Sequence, residues 1–403
     1  GSRGHGEKRP EGRERYAPCA MLDALTDSLT LEQAVETALK NHPTVKAANL
    51  KVEKQQKLKK TALDIDKTNI SYTQGQLNSA FIDNRLSISQ DFKFPTTYIS
   101  QAKLQNRKVA LSENALNITQ NELVRNVRAA YMQLSYGYTR QKLLNTLENT
   151  YANFLKAAEK RYQTGETNLL EKIAAQGKYQ EIKLMKQQAD ADVKIYMQEL
   201  QKWLNTNNPV TISAINLNKI ELILQDTGIV SNNPLLQYFQ QSIRVSEQQY
   251  KLEKSGYLPD LSAGYFNQQI DGIPGLTGFQ VGVKIPLWYR AQQGKVQAAK
   301  IAAEIAQAEY ENYNLMIETL FAGKLQEYYK YKGLVDYYES QGLAIAGQLI
   351  KFAEKSYRAG EIDYVEYIRN IDQGIDIKTK YIDNLNQFNQ TVIDLQYLLG
   401  RHN

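Results

Sequence analysis

Cysteine, histidine and proline are scarce in this chain. Of 403 residues, one is Cys (Cys19), three are His (His5, His42, His402) and nine are Pro. A single Cys excludes a disulfide framework and a cysteine-based zinc site. With two of the three His near the termini, a histidine metal cage is not expected. No run approaches the ~18 apolar residues of a transmembrane helix, which excludes a helical membrane protein. A membrane β-barrel stays open, because each of its strands carries only a weak signal. The five Met are scattered (Met21, Met132, Met185, Met197, Met316), so no relay for a soft metal ion is visible. No Walker loop, nucleophile elbow, His-Glu zinc motif or Cys pair occurs, and neither an enzyme nor a cofactor is expected.

Charge adds little to this picture. The net charge is +6, and residues 1–20 supply +2 of it through five Arg/Lys against three Glu. The remainder is near balance and calls for no nucleic-acid partner. The run KVEKQQKLKK (51–60) reads as a solvated helix face rather than a nucleic-acid site. Residues 1–22 read as a disordered tail or cloning scar, with no apolar h-region of a signal peptide. What is abundant is tyrosine: 27, against 10 Phe and 2 Trp. Disordered chains are poor in aromatics, so this one is expected to fold. The cluster Tyr328, Tyr329, Tyr331, Tyr337 and Tyr338 reads as helix packing rather than a ligand site.

The chain repeats itself. Asn41-His42-Pro43 recurs as Asn232-Asn233-Pro234, and Phe94-Pro95 as Ile285-Pro286, both offset by 191 residues. Ala158-Glu159-Lys160 with Tyr162, Gly165 and Glu166 recurs as Ala353-Glu354-Lys355 with Tyr357, Gly360 and Glu361, offset by 195. Three matches in one order point to a tandem duplication. The expected division is a repeat over 23–204, a connector over 205–231 with a short strand near Val210–Ile215, and a second repeat over 232–400.

Each repeat has the same grammar: short helices (30–64, 234–256), two alternating segments, then long helices broken once at glycine. In 85–94, Leu86, Ile88, Phe92 and Phe94 share one parity and Arg85, Ser87, Ser89, Asp91 and Lys93 the other. In 278–287, Phe279, Val281, Val283, Ile285 and Leu287 alternate with Gln280, Gly282 and Lys284. Period two with one apolar face is a strand signature. Segments 68–77 and 259–270 complete two hairpins (68–94 and 259–287), with loops at 78–84 and 271–277. No proline interrupts the helical stretches 95–163 and 288–358, and the return helices span 167–204 and 363–399. Leu144, Leu147, Tyr151, Phe154, Ala158 and Tyr162 step by three or four as a packing seam does. Ala298, Ala299, Ala302, Ala303 and Ala306 form a small-residue stripe. At 1.5 Å per residue, ~65 residues reach ~100 Å.

Four strands with one apolar face, and no helix set matched to cover it, suit lipid on that face. Open edges in hydrocarbon are costly, and closure needs about eight strands, so the pattern implies an oligomer. The expected lipid-facing positions are Leu86, Ile88, Phe92, Phe279, Val281, Val283 and Ile285. The competing reading is a soluble periplasmic coiled-coil adaptor or interaction protein.

Two hairpins, each feeding through a Pro into a ~100 Å helix that ends at a Tyr-x-x-Gly turn, resemble the TolC-type outer-membrane efflux proteins. RYQTGETNLLEKIAAQGKY (161–179) and SYRAGEIDYVEYIRNIDQG (356–374) are similar to that family's two periplasmic tip turns. SLTLEQAVETALKNHPTVKAA (28–48) and LQYLLG (395–400) resemble its opening helix and closing segment, and 67–84 is nearest the CusC/CzcC heavy-metal branch. The resemblance implies a mainly α protein with a membrane β part. In that fold a homotrimer builds a 12-stranded outer-membrane barrel, continued by a periplasmic helical tunnel. It further implies a periplasmic adaptor and an inner-membrane RND pump as partners, the pump being fused to such a module in some bacteria. The function implied is a passive exit duct for heavy-metal ions.

Position by position, the resemblance puts the family's aperture residues at Glu366 and Arg369, with Asp363, Tyr364 and Tyr367 on the same turns. Arg369 stands where the family has an acidic residue, so paired Glu and Arg rather than an acidic ring are expected there. Glu171 matches a position that joins neighbouring helices at the tip. Arg161, Tyr162, Gly165, Tyr357, Arg358 and Gly360 are the expected adaptor-docking tips.

Overall fold

The computed structural model describes residues 28–78, 80–222 and 232–400. The expected tail, with Cys19, lies outside them. Helix α1 (Leu31–Asn41) starts on a capping box between Thr30 and Gln33, and α2 (Pro43–Leu58) starts on the His42 side chain. A 3-10 turn follows over Lys59–Leu63. Strands β1 (Asn69–Gly75) and β2 (Asp83–Phe92) form the first hairpin. Helix α3 then runs unbroken from Pro95 to Gln163, 69 residues or ~100 Å. Proline at its first turn loses no hydrogen bond. After α4 (Leu169–Leu204) and the connector, α5 (Pro234–Ser255) leads into β3 (Asp260–Ile270) and β4 (Ile273–Lys284). Helices α6 (Arg290–Tyr337), α7 (Leu343–Ala359) and α8 (Tyr364–Leu398) complete the chain.

The four strands make one antiparallel sheet in the order β1-β2-β3-β4. Its register sorts the side chains by face. Ile70 pairs with Ile88, Ile88 with Tyr265, and Tyr265 with Phe279; Leu261 joins Phe92 to Val283. This face is apolar and open to the surroundings, with Phe279 86% and Val281 83% exposed. The opposite face carries Ser71, Ser87, Ser89, Ser262 and Gln280, with Lys284 ion-paired to Asp91. There Phe266 lies against Gly278, where an added Cβ would sit 2.4 Å from the ring, and Arg85 stacks on it at 4.1 Å. Below the sheet α2, α3, α5 and α6 pack side by side in the same order as the strands they adjoin. No helix among the described residues is long and apolar enough to cross a membrane.

Midway along the helices the connector is clamped into the largest core. Leu29 and Ile212 form an isolated parallel bridge, and the buried Tyr131 hydroxyl donates to the Leu29 carbonyl at 2.9 Å. Asn389, fully buried on α8, accepts from the Ile220 amide and donates to the Asn218 carbonyl. The connector strand expected at Val210–Ile215 is thus only this bridge; the Ala214 amide donates to the Tyr131 hydroxyl and the Ile215 amide to the Ser213 carbonyl.

Two further expectations need correcting. The second hairpin has no loop over 271–277: Asp271 and Gly272 (φ 48° and 75°) turn the chain in two residues. An Asp-Gly pair is suited to such a turn, and Pro274 is tolerated because β4 is an edge strand. The stretch 288–358 is not one helix but is interrupted by a π-helical turn over Tyr338–Gly342. A Cβ at Gly342 would meet the Tyr338 ring at 2.8 Å, so a small residue sits where the turn widens. Of the alanine stripe, Ala299 and Ala306 are buried. In the tyrosine cluster, Tyr328 and Tyr338 are buried while Tyr329 and Tyr337 are about half exposed.

Candidate functional site at the helical tip

The far ends of the long helices form two turns built alike. Gly165 and Gly360 adopt left-handed conformations (φ 77° and 74°) that glycine accepts without strain. In both turns the residue after glycine donates back five positions, Glu166 to the Arg161 carbonyl and Glu361 to the Ser356 carbonyl. Each return helix then starts on a side-chain cap. Asn168 accepts from the Glu171 amide at 2.9 Å, and Asp363 from the Glu366 amide at 2.8 Å. Glu171 and Glu366 are therefore the same residue of two equivalent turns, each favoured near a helix N-terminus.

Their surroundings differ. Glu171 is 13% exposed and sits between the two turns. The Tyr357 hydroxyl donates to its Oε1 at 2.9 Å and accepts from Arg161 Nη1 at 2.5 Å. Arg161 Nη1 stands 3.5 Å from the same carboxylate oxygen, and Thr167 donates to the other. This network ties α7 to the α3–α4 turn. Burial, and then the Glu171 carboxylate, push the Tyr357 phenol up to about 12. Glu366 is exposed, and so is Arg369 one turn further on. No ion pair joins them among the described residues, and the Asn370 side chain donates to the Glu366 carbonyl.

Beneath these residues lies an aromatic core. Phe154 stacks on Tyr364 at 4.9 Å and on Tyr367 at 5.0 Å, and Tyr357 stacks on Tyr367 at 4.7 Å. Tyr364 and Tyr367 are buried, so any part they play at an aperture is to position Glu366 and Arg369 on the outer side of α8. The next layer is polar. The buried Tyr151 hydroxyl donates to Asp372 at 2.8 Å, and Lys178 pairs with the same carboxylate at 3.1 Å.

Sequence reasoning named Arg161, Tyr357 and Glu171 separately, and the structure brings them into one network. Tyr162 (38% exposed) and Arg358, which pairs with Glu354 on its own helix, lie on the surface of their turns. Asp372 and Thr167 were missed; neither stands out by spacing, since their partners lie on other helices or across the turn. Among the described residues no group of three or more His, Cys, Asp or Glu could hold a metal ion.

A helical wall about 100 Å long, capped by a four-stranded sheet with one bare apolar face, defines the class: the fold is that of the TolC-type outer-membrane channels. Comparable solved structures include CusC (TM-score 0.76, 17% identity, 92% of each chain covered) and the outer-membrane channel OprN (0.78, 16%, 92% of this chain and 89% of that one). The CmeC outer-membrane channel of Campylobacter jejuni is also similar (0.73, 14%, 92% and 85%). No family model and no curated protein sequence matches the chain.

Proposed function

We propose that the protein is an outer-membrane exit duct of a tripartite efflux system, conducting its cargo passively. The observation that carries this is the sheet. Among the described residues its apolar face is uncovered and its two edge strands are unpaired, and its strands lead into the helical wall. An isolated sheet of this kind in water would expose both an apolar patch and two open ladders. Three copies joined β4 to β1 would close a 12-stranded barrel, leaving no edge in hydrocarbon. The polar face, lined by serine, glutamine and the Lys284–Asp91 pair, would then face the lumen. The helices would extend into the periplasm, where the two glycine turns meet an adaptor coupled to an inner-membrane RND pump. The duplicated turns suit an adaptor ring of roughly six-fold symmetry.

Heavy-metal ions are the proposed cargo, on the resemblance of residues 67–84 to the CusC/CzcC branch. Glu366 and Arg369 are the proposed constriction of the tip. The overall reading is tested by fractionating cells that express the protein and imaging the purified particle. Outer-membrane fractionation, a need for detergent, and a hollow cylinder on the order of 100 Å long are expected. A protein fully soluble without detergent would overturn it.

A further inference from the structure

The outer wall just below the sheet carries unpaired positive charge. Which way each helix faces follows from the junction. Lys93 and Lys284, at the ends of strands β2 and β4, line a crevice with Gln101, Glu253, Gln292 and Lys295. Lys284 belongs to the polar face of the sheet, where it pairs with Asp91. The stripes of α3, α5 and α6 that include Gln101, Glu253 and Gln292 therefore continue that polar face. At 100° per residue the opposite stripes hold Ile99 and Lys103 on α3, Lys251 and Lys254 on α5, and Arg290 on α6. These stripes continue the apolar face.

All four basic residues are exposed. Among the described residues none of them is in an ion pair, and Lys254 stacks its ammonium on Tyr250 at 4.5 Å. The one acid on the same α5 stripe, Glu247, lies a turn further from the sheet. Arg290 is the first residue of α6, Lys254 lies in the last turn of α5, and Lys103 is about 12 Å along α3. Between the end of β4 at Lys284 and the start of α6, the chain just above them exposes Ile285, Leu287 and Trp288, the last 93% exposed. A headgroup layer is about 5–8 Å deep on each side of the hydrocarbon, so long basic side chains at these levels reach it.

We propose that Lys103, Lys251, Lys254 and Arg290 form a belt that binds the phosphates of anionic phospholipids in the adjoining leaflet. The belt rests on the reading of the sheet as a membrane barrel. Charge complementarity and its continuity with the lipid-facing face identify the occupant. Each basic residue at an anionic surface is worth about fivefold in affinity.

Trp288 is a built-in reporter, since the only other tryptophan, Trp203, lies far down the wall at the end of α4. The detergent-purified protein is mixed with acyl-brominated phosphatidylglycerol or phosphatidylcholine, and quenching of its fluorescence is followed. At low salt, phosphatidylglycerol should be preferred by about fivefold. The preference should vanish in 0.5 M salt and in the K103Q/K251Q/K254Q/R290Q variant, which should still be quenched by both lipids. Equal quenching of the wild type, or a preference that survives in the variant, overturns the belt alone. Quenching by neither lipid overturns the barrel reading, and the belt with it.

Discussion

Replacing Tyr357 by Phe deletes one hydroxyl and keeps the ring stacked on Tyr367, with Phe154 tilted against it at 5.6 Å. The hydroxyl donates to a carboxylate that is only 13% exposed, and it accepts from Arg161. A net hydrogen bond to a charged group contributes about 1.5–3 kcal/mol. Because the Tyr357 ring is itself partly exposed, the lower end, about 1.5 kcal/mol, is the better expectation. That corresponds to roughly tenfold faster local opening. Hydrogen exchange of amides 171–175 in the detergent-solubilised protein reads this directly, with amides around Val127 in the central core as the internal standard. Glu171→Gln keeps the shape and removes the charge. A double-mutant cycle between the two should show coupling of about 1 kcal/mol, as expected for groups in one network. Exchange in Y357F within about twofold of wild type would refute the claim that this network holds the tip, since only ~0.4 kcal/mol would then be at stake.

Three other outcomes are expected. The Tyr357 phenol is raised from 10.0 to about 12 by burial and by Glu171. Its stabilising contribution is therefore complete below pH ~10 and lost as pH rises through ~12; tyrosinate absorbance, wild type minus Y357F, should show that late midpoint rather than one near 10. Gly360→Ala should cost about 1–2 kcal/mol, seen as a lower melting midpoint. Nothing lies within 4 Å of the new methyl, so the whole cost is the left-handed backbone. Glu366→Ala with Arg369→Ala should raise single-channel conductance in a planar bilayer, and unchanged conductance would remove these residues from the constriction.

Much of the fold was legible because its signals are local. Period-two alternation gave the strands, and a proline-free run gave the 69-residue helix. Two Tyr-x-x-Gly turns marked where helices reverse. Leu144, Leu147, Tyr151, Phe154 and Ala158 are buried as their spacing required, while Tyr162, the last of that seam, is exposed at the turn. What stayed hidden depends on partners distant in sequence. The π-helical turn at Tyr338–Gly342 answers to packing between helices, not to composition. The Asp271-Gly272 turn was obscured by Pro274 and Gly275, which read as loop although an edge strand accepts them. At the tip, Glu171, Arg161 and Tyr357 were each picked out by resemblance. That the last two converge on the first follows from helices α3, α4 and α7 meeting in space.

The equivalence of the two turns has a consequence for assembly. Tyr162 and Glu366 stand in the same relation within the repeats as Tyr357 and Glu171, offset by 195 residues, yet both are exposed. In a closed ring of three chains the six turns alternate. The joint inside each chain is already made, while its counterpart would lie across the boundary to the next. Such a ring has two kinds of seam, one present from folding and one formed only on association. On that arrangement the ring would widen at the three association seams first, with the seam inside each chain staying shut.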